Sequence, residues 1–446
     1  VPGNPGSTDR LYPYAYLEYQ RDYRYPNLVN YIDERLSWLG EYAEKGKEQR
    51  QQAMIQIYRY QNAKKAYNGQ FKGLQNEEIM EARKKGEMEF REKVRSNPEL
   101  NKAYGDAWTR IEKLLAAHAT RMDNHFYRQL RGSKLAYTAL RIVRYVSEIK
   151  KPDSERMDGY HDAKLEGLKF KLLSPAPFYP ELENVTFAGW LSLAKKNLGE
   201  DDPFIKLVLD GQTPEQVARQ VIDDSKLTEV EYRKSLLEGG EEAVKSADDP
   251  LLKFVQRVDP FLREEAEWYK NTVKSVFADA ETKIAKARFA VYGKSIYPDA
   301  TFTLRLSYGA AKGYPMNGTR APYKTSLYGL YDRTLSFDRE GEFTLPERFW
   351  THKEKLDLST PVNLVSTNDV IGGNSGSPLI NKAAEIVGIV FDGNIESLVG
   401  RFVYDDKTNR TVSVHSAYII EALRKLYGAR ALADEIEVSQ VKASRE

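Results

Sequence analysis

The sequence predicts an α+β protein in which a large helical domain precedes a smaller β-barrel. From about residue 26 to residue 288 the chain is rich in Glu, Lys, Arg, Gln, Ala and Leu, and apolar residues recur every three or four positions. That spacing is typical of helices that pack through one face. From about Tyr292 the period changes to two, which is typical of half-buried strands. We therefore predict the end of a β-domain over residues 1–20, a helical domain over residues 21–288, and a β-barrel with a C-terminal helix over residues 289–446.

The composition excludes several classes of protein. The 446 residues are enough for two or three hydrophobic cores. Basic and acidic residues nearly balance, 67 against 65 with a net charge of +2, so the charge indicates neither a nucleic-acid nor a membrane-surface partner. The absence of cysteine excludes disulfides, a thiol nucleophile and a thiolate metal site. No apolar run is long enough to predict a membrane span.

The first residues have the composition of a chain that leaves a β-domain. The first six positions contain two prolines and two glycines, and the chain begins at Val1 without a methionine. An aromatic-rich run follows, formed by Tyr12, Tyr14, Tyr16 and Tyr19. We expect the sequence to be a piece of a longer protein, with any targeting signal upstream.

Two helix starts are marked by an aspartate followed by a proline, Asp249-Pro250 and Asp259-Pro260. An aspartate side chain can accept hydrogen bonds from the first N–H groups of a helix, and proline is favoured in the first turn because it lacks an N–H group. The apolar face across these starts is formed by Leu251, Val255, Val258 and Leu262. Helix breaks are predicted at Pro152, Pro175-Ala176-Pro177 and Gly239-Gly240.

The strand predictions in the last third of the chain rest on alternating apolar residues. In the first of them Phe302, Leu304 and Leu306 alternate with polar residues, so we expect this strand to bury one face. The other predicted strands are Lys324–Tyr328, Val362–Thr367, Ile386–Phe391, Arg401–Tyr404 and Thr411–Val414. The last two are predicted to be joined by a hairpin loop at Asp405–Asn409. An amphipathic helix from about Ala417 to Tyr427 is predicted to end at Gly428.

A glycine-rich loop, Gly372–Pro378, lies between two of the predicted strands and has the sequence GGNSGSP. Its glycines allow tight turns with positive φ angles, which can direct successive N–H groups to one point. Chymotrypsin-like folds present their nucleophile on such a loop. Ser375 is therefore the candidate nucleophile, and the amides of Gly373 and Ser375 are the candidate oxyanion hole. The alternative is a Gly/Ser hairpin turn without chemistry, but the strands on both sides favour the catalytic interpretation.

The loop resembles the Gly-Asp-Ser-Gly-Gly-Pro motif of trypsin-like enzymes. A longer pattern, residues 366–378 together with residues 391–397, resembles the bacterial dipeptidyl peptidase 7 / dipeptidyl peptidase 11 family of serine exopeptidases, as do residues 3–10 and 297–309. The resemblance implies release of dipeptides from peptide N-termini. It also implies that residues 289–446 are a second, chymotrypsin-like β-barrel of six strands and that the helical domain caps the cleft. Asn374 departs from the trypsin-like motif, which has aspartate there, so activation by a new N-terminus that pairs with this aspartate is not expected.

A serine nucleophile needs a histidine to accept its proton. The five histidines are His118, His125, His161, His352 and His415. The first three are predicted at the surface of helices, and none has the sequence context of a catalytic histidine. The resemblance implies that the catalytic His and Asp lie in a first β-barrel upstream of Val1, so we expect little or no peptidase activity from this chain alone. No HExxH motif and no phosphate-binding glycine loop occurs, so we predict no metal and no cofactor.

Three further residues are candidates for substrate binding through the resemblance. Asp392 would bind the free amine of the substrate, because an ammonium group needs acceptors. Gly393 replaces an arginine of the acidic-specific branch, dipeptidyl peptidase 11, and would leave the P1 pocket open to apolar or bulky side chains. Asn62 lies in a run similar to the family's Asn-x-x-Lys-x-Tyr-x-Gly and would offer a second acceptor. The alternatives are an ordinary turn aspartate at Asp392 and a solvated helical asparagine at Asn62.

Two other functions stay open at this stage. A chymotrypsin-like endopeptidase would cleave peptides whose N-terminus is blocked. A non-catalytic helical scaffold with a degenerate protease barrel would leave Ser375 inert. For the favoured function, the expected partners are peptides with a free N-terminus and the missing first β-barrel. The resemblance also implies a homodimer and a secreted protein of the periplasm or the cell surface.

Overall fold

The computed structural model describes the backbone of residues 1–443 and the side chains as far as residue 437. The chain forms two compact units. The first, called here the sheet unit, comprises residues 1–12, 69–86 and 292 onward, and the second, the helical unit, comprises residues 13–68 and 87–291. Residues 69–86 lie inside the predicted helical segment of the sequence and group with the sheet unit.

The central part of the chain is helical, as its composition predicts. Helices α1 to α15 are Tyr14–Tyr19, Tyr25–Glu44, Lys47–Leu74, Glu77–Arg95, Pro98–Tyr104, Ala107–Ala119, Met122–Tyr127, Lys134–Glu148, Asp162–Leu172, Pro180–Leu198, Pro203–Leu209, Pro214–Ile222, Val230–Ser246, Pro250–Trp268 and Ser275–Tyr292. Two π-helical turns, Gln20–Arg24 and Tyr269–Lys274, join α1 to α2 and α14 to α15. The end of α3 and the beginning of α4 belong to the sheet unit.

Helix α14 begins where the sequence predicts. The buried carboxylate of Asp249 accepts hydrogen bonds from the N–H groups of Leu251 and Leu252 at 3.0 and 3.1 Å. It also accepts from the N–H group of Lys226 at 2.8 Å. The predicted apolar face is buried at Leu251, Val255, Val258 and Leu262. The N-cap at Asp249 is therefore confirmed.

The second predicted helix start, at Asp259-Pro260, is wrong, because α14 continues through Pro260. The carboxylate of Asp259 is buried and accepts hydrogen bonds from Nε of Arg144 and Nε of Arg263, both at 2.6 Å. Two guanidinium groups occupy the oxygens that a cap would need. The break predicted at Gly239-Gly240 is confirmed by a kink at Gly240, whose φ is +66°. The breaks predicted at Pro152 and Pro175-Ala176-Pro177 also fall between helices.

The sheet unit contains an open five-stranded antiparallel sheet. Strands β1 to β9 are Pro2–Gly3, Arg305–Leu306, Tyr314–Met316, Thr319–Ala321, Lys324–Ser326, Pro361–Ser366, Pro378–Ile380, Ile386–Gly393 and Thr411–His415. The main sheet has the order β5-β6-β9-β8-β7, and the pairs β1-β2 and β3-β4 are separate. The predicted α+β class is confirmed, with β6, β8 and β9 close to their predicted positions. The closed six-stranded barrel is not found among the described residues.

One of the strands predicted for the closed barrel is absent from the sheet. The segment Arg401–Tyr404 was predicted as a strand. Arg401 is instead the last residue of a 3-10 helix over Ile395–Arg401, and the three residues after it form no strand. Side chains fix this segment: Arg401 pairs with Asp9 at 2.7 Å, and the hydroxyl of Tyr404 donates to the carbonyl of Thr367 at 2.6 Å. The hairpin predicted around Asp405–Asn409 is therefore also wrong, since it has no first strand.

The segment from Phe302 to Tyr308 does not bury its apolar residues, and it begins with a left-handed backbone at Phe302, whose φ is +66°. Only Arg305–Leu306 is paired, with β1. The exposed fractions are 64% for Phe302, 73% for Leu304, 73% for Leu306 and 90% for Tyr308. The expectation that this strand buries one face is thus wrong for the described residues, since all four side chains are mostly exposed.

Four further helices lie in the described part of the sheet unit. Helices α16 to α19 are Leu327–Ser336, Glu347–Thr351, Ser416–Glu421 and Arg430–Ala443. Helix α18 continues as a π-helical turn, Ala422–Leu426, before Gly428 with φ +67°, so the predicted terminal helix is confirmed, whereas α16, α17 and α19 were not predicted. Across the described residues, no helix combines the length and the apolar character needed to cross a membrane.

Candidate active site

Ser375 lies in the turn between β6 and β7, and its side chain is exposed. Two backbone hydrogen bonds attach this turn to β8. The N–H group of Gly376 donates to the carbonyl of Val390 at 2.7 Å, and the N–H group of Val390 donates to the carbonyl of Ser377 at 2.9 Å. The candidate nucleophile is therefore presented to solvent by a turn, residues 372–378, that is fixed to the neighbouring strand. This turn is called here the nucleophile turn.

Asn374 closes the other half of the turn. Its side chain is buried, and its Oδ1 accepts a hydrogen bond from the N–H group of Ile371 at 3.1 Å. The N–H group of Asn374 donates in return to the carbonyl of Ile371 at 3.0 Å. The asparagine that departs from the trypsin-like motif thus satisfies backbone groups of its own loop, for which a neutral acceptor is sufficient.

Gly373 has a backbone conformation that favours glycine. Its φ of +108° lies in the left-handed region, and an added Cβ would stand 2.5 Å from the carbonyl oxygen of Asn4. The N–H group of Gly6 donates to the carbonyl of Gly372 at 2.7 Å. The N-terminal segment therefore packs directly on the nucleophile turn. This contact was not predicted, and the only signal for it in the sequence is the pair of glycines near the N-terminus.

The amides of Gly372, Gly373 and Ser375 differ from the other amides of the turn. The N–H groups of Asn374, Gly376 and Ser377 donate to backbone carbonyls. Those of Gly372, Gly373 and Ser375 have no acceptor within the described residues. Because an amide N–H group requires a partner, the donors of Gly373 and Ser375, one on either side of Asn374, are available to an oxygen atom of a ligand. Two such donors beside a hydroxyl are what an oxyanion hole requires.

The histidines of the sheet unit have partners other than the candidate nucleophile. Nδ1 of His352 lies 3.1 Å from the carbonyl oxygen of Arg348. Nδ1 of His415 accepts from the N–H group of Ala417 at 3.1 Å and so caps α18. In the described part of the chain, no histidine is hydrogen-bonded to Ser375.

The prediction that the histidines of the helical unit lie at the surface is wrong for two of them. His118 is 4% exposed, and its Nδ1 is hydrogen-bonded to the hydroxyl of Tyr19 at 2.9 Å. His125 is half-buried and stacks on the ring of Tyr269, with centroids 4.1 Å apart. Flanking arginines and aspartates indicated a surface, but the ring cluster that buries both residues forms through contacts distant in sequence.

Asp392 lies on β8 directly after a β-bulge. The pairing of β8 with β9 aligns Val390 with Ser413 and Asp392 with Val412, so Phe391 is the extra residue. A bulge changes the direction of the side chains that follow it, and bulges are common beside active sites. The half-buried Asp392 therefore leaves the regular alternation of the strand close to the point where the nucleophile turn is attached.

Gly393 is the last residue of β8, and its N–H group donates to Oδ1 of Asp392 at 2.8 Å. A Cβ on Gly393 would overlap Oγ of Ser397. This hydroxyl donates to the carbonyl of Asn394 at 2.7 Å. The φ angle of Gly393 is not in the left-handed region, so the Ser397 side chain, and not the backbone, limits the residue at this position.

The remaining candidate, Asn62, is exposed on α3 in the helical unit. Ser375, Gly373, Asp392 and Gly393 all lie in the sheet unit, where the pairing of β7 with β8 brings them together. Within residues 1–443 no group of three or more His, Asp or Glu side chains could hold a metal ion.

Comparison with known proteins gives a family match over nearly the whole chain. The sequence profile of the family described as Peptidase S46 matches residues 1–438. Dipeptidyl-peptidase 7 of Capnocytophaga gingivalis is 24% identical over 458 residues, which cover 98% of this chain and 62% of that protein. The Asp/Glu-specific dipeptidyl-peptidase of Shewanella putrefaciens is 23% identical over 483 residues, which cover 98% and 64%. The chain therefore spans a little less than two thirds of the length of these relatives.

A solved structure shares the fold. The crystal structure of Porphyromonas endodontalis DPP11 in complex with the dipeptide Arg-Glu matches with a TM-score of 0.74 and 19% identity, over 98% of this chain and 64% of that one. A shorter but closer sequence match is dipeptidyl-peptidase 7 of Phocaeicola vulgatus, 37% identical over 150 residues that cover 32% of this chain and 20% of that protein. The structural similarity supports a mostly helical chain with a smaller sheet region.

Proposed function

The chain belongs to the peptidase S46 family, and on that premise we propose that it is part of a serine dipeptidyl peptidase, which removes dipeptides from the free N-terminus of peptides. The observation that carries the proposal is the arrangement at the nucleophile turn. The exposed Ser375 lies in a turn in which its own amide and that of Gly373 have no acceptor among the described residues.

In the proposed reaction, Oγ of Ser375 attacks the carbonyl carbon of the second substrate residue. A histidine accepts the hydroxyl proton and passes it to the departing amine, and water then hydrolyses the acyl-enzyme. The oxygen that becomes negative accepts hydrogen bonds from the amides of Gly373 and Ser375. Loss of one such donor typically lowers kcat by about 10²–10³-fold.

We propose that the histidine and its orienting carboxylate belong to a first β-barrel outside this chain, so that the chain alone has little or no activity. Three observations support this. The relatives are longer than the chain. In its described part no histidine is bonded to Ser375. The exposed row Phe302, Leu304, Leu306 and Tyr308 begins beside the turn, since Cζ of Phe302 lies 3.4 Å from the position of a Cβ on Gly373. An apolar row of this kind indicates a surface that a partner covers.

The dipeptide specificity would come from recognition of the substrate amine. Asp392 supplies the carboxylate, and the bulge at Phe391 gives it a direction different from that of the regular strand. Asn62 stays the candidate for a second, neutral acceptor. An ammonium group donates three hydrogen bonds, so a carboxylate and a neutral amide oxygen are suitable partners.

In this proposal the P1 pocket lies between residues 367–373, which lead into the nucleophile turn, and residues 393–400, which follow β8. Gly393 places no charged side chain in it, so we propose a preference for apolar or bulky P1 residues. The relatives include proteins named dipeptidyl-peptidase 7 and proteins named Asp/Glu-specific dipeptidyl-peptidase. Their names therefore do not indicate one P1 preference, and the proposal rests on the residues of this chain.

The proposal is tested on the complete protein. A fluorophosphonate probe is expected to label Ser375, and Ser375→Ala is expected to abolish labelling and dipeptide release. Ser336→Ala, at an exposed serine of α16, is the matched control and should keep both. Release of an N-terminal dipeptide from a free peptide, and none from the same peptide after N-acetylation, would support the amine site. Cleavage of the acetylated peptide would instead indicate an endopeptidase. A protein that is neither labelled nor active would indicate a non-catalytic helical scaffold with a degenerate protease barrel.

A further inference from the structure

A shielded ion pair joins the N-terminal segment to the residues that lead into the nucleophile turn. The guanidinium group of Arg10 donates to both carboxylate oxygens of Asp369, with Nη2 to Oδ1 at 2.9 Å. The hydroxyl of Tyr297 lies 3.4 Å from Nη1 of Arg10 and donates to Oδ2 of Asp369 at 3.4 Å. The side chain of Arg10 is 12% exposed and that of Asp369 is 28% exposed. The arginine is thus enclosed, whereas the carboxylate reaches the surface.

Arg10 also contacts the segment that follows Gly393. Its Nε and Nη2 donate to the carbonyl of Gly400 at 2.8 and 2.5 Å, and its guanidinium lies 5.6 Å from the ring centroid of Tyr404. Arg10 therefore lies between the residues that lead to Ser375 and the residues that follow β8. In the proposed function these are the two walls of the P1 pocket.

The ion pair cancels the charge of Asp369, which is the one ionisable residue of the first wall; the second wall contains Glu396. Burial disfavours the charged form of Arg10, but the hydrogen bond and the charge of Asp369 outweigh this effect and raise the pKa of Arg10 above its usual value, so the residue is cationic. A carboxylate bound by both arms of a guanidinium group has little left to offer a second cation. In trypsin, by contrast, an available carboxylate in the P1 pocket selects basic side chains.

We propose that Arg10 is a specificity-determining residue that masks Asp369, which would otherwise select lysine or arginine at P1. The inference deepens the proposed function and rests on it. The reciprocal statement follows from the same geometry: without the carboxylate, Arg10 would be an unpaired cation and would select aspartate or glutamate. The absence of a free charge at Asp369 thus results from two charges that cancel, in addition to the missing side chain at position 393.

The test measures kcat/KM of the complete protein on dipeptidyl substrates that differ only in having leucine, lysine or glutamate at P1. For Arg10→Met the ratio of lysine to leucine is expected to rise roughly 10- to 100-fold, the size of one charge-assisted hydrogen bond. For Asp369→Asn the ratio of glutamate to leucine is expected to rise by a similar factor. The double variant has no charge at either position and is expected to return to the wild-type order of substrates.

A neighbouring ion pair supplies the matched control. Arg401 pairs with Asp9 at 2.7 and 3.2 Å and also joins the N-terminal segment to the segment after Gly393. Arg401→Met therefore removes a similar structural contact without uncovering Asp369, and the order of P1 preference should stay as in the wild type. The inference is overturned if Arg10→Met lowers kcat/KM equally for all three substrates, or if Arg401→Met gives the same change in preference.

Product binding separates failure of this inference from failure of the proposed function. The dipeptides Gly-Leu, Gly-Lys and Gly-Glu are titrated against each variant, and the midpoint of thermal unfolding reports binding. If the wild-type protein releases no dipeptide, the proposed function fails. Even then, Arg10→Met should be stabilised more by Gly-Lys, and Asp369→Asn more by Gly-Glu, than the wild type. Equal shifts in all proteins would overturn the masking of Asp369.

Discussion

The hydroxyl of Ser397 occupies the space into which a side chain on Gly393 would project. The hydroxyl is held there because it donates to the carbonyl of Asn394 at 2.7 Å. The backbone of Gly393 is not left-handed and would accept other residues. In the proposed function, the openness of the P1 pocket therefore depends on two positions together, a glycine and the serine that follows it by four residues.

We predict that Gly393→Arg alone destabilises the complete protein, because its Cβ overlaps Ser397. Gly393→Arg combined with Ser397→Gly should recover the midpoint of thermal unfolding. The combined variant should also gain cleavage after aspartate and glutamate, by roughly 10-fold or more, from a new charge-assisted hydrogen bond, and should lose cleavage after leucine. Ser397→Gly alone is the control and should keep the wild-type preference. An unchanged preference in the combined variant would remove Gly393 from the P1 pocket.

Asp392→Asn is predicted to impair substrates with a free amine. The substitution keeps the size of the side chain and an acceptor for the N–H group of Gly393, but it removes the charge that would pair with ammonium. We expect kcat/KM on free dipeptidyl substrates to fall by roughly 30-fold or more, since truncating one partner of a desolvated charge pair costs about 2–5 kcal/mol. Fluorophosphonate labelling of Ser375 should be retained. Asp406→Asn, at an exposed aspartate of the sheet unit, is the matched control, and near-normal turnover of Asp392→Asn would refute the amine site.

Asn374→Ala is predicted to disorder the proposed oxyanion hole without altering Ser375. The N–H group of Ile371 would lose its acceptor, which typically costs about 1–3 kcal/mol, and the two flanking amides would lose their fixed positions. The rate of fluorophosphonate labelling should fall together with the unfolding midpoint. Asn374→Asp keeps an oxygen for the same amide and should lose less of both. Equal labelling by Asn374→Ala and the wild type would contradict this role.

The parts of the fold that the sequence predicts correctly are those whose signal is local. The N-cap at Asp249 and the strands β6, β8 and β9 follow from a few adjacent residues. The errors occur where distant side chains decide. Asp259 could have capped a helix, but two arginines occupy its carboxylate. Arg401–Tyr404 alternates like a strand, but contacts with Asp9 and Thr367 hold it in another conformation.

The candidate site divides in the same way. Ser375 and the amides beside it follow from one short motif, since the turn geometry is encoded by its own glycines. The support of that turn could not be predicted. Gly6 bonds to Gly372, and Arg10 and Asp369 are separated by 359 positions. Glycines and charges at the N-terminus carry no local pattern that would indicate these partners.

The helical unit contains a pair of buried histidines with unsatisfied nitrogen atoms. The ring centroids of His118 and His125 are 5.3 Å apart, and His125 stacks on Tyr269. Nε2 of His118 and Nδ1 of His125 have no hydrogen-bond partner among the described residues. The π-helical turns that follow Tyr19 and begin at Tyr269 both adjoin this cluster, and such turns are rare.

This pair is predicted to make the protein sensitive to mild acid. Burial, with a further contribution from Arg121, lowers the pKa of both His118 and His125 from 6.5 to about 4, and the charge of His118 adds to the shift of His125. Between pH 6.5 and about pH 4 these two histidines bind more protons in the unfolded chain than in the folded chain, so the free energy of unfolding falls as the pH falls. The stability is complete above about pH 6.5 and is progressively lost toward pH 4. We expect the unfolding midpoint of the complete protein to drop by several degrees over this interval.

A double variant separates these two imidazoles from the many carboxylates that also titrate in acid. His118→Phe with His125→Phe keeps two aromatic rings in the cluster but removes both groups that take up protons, so its midpoint should depend less steeply on pH between about 6.5 and 4. His161→Phe, which removes an imidazole outside this cluster whose side chain is 37% exposed, is the matched control substitution. Because ∂ΔG/∂pH counts only the difference in bound protons between the unfolded and folded states, loss of absolute stability in the double variant does not affect the comparison. Parallel pH profiles for the wild type and the double variant would show that the acid sensitivity arises elsewhere.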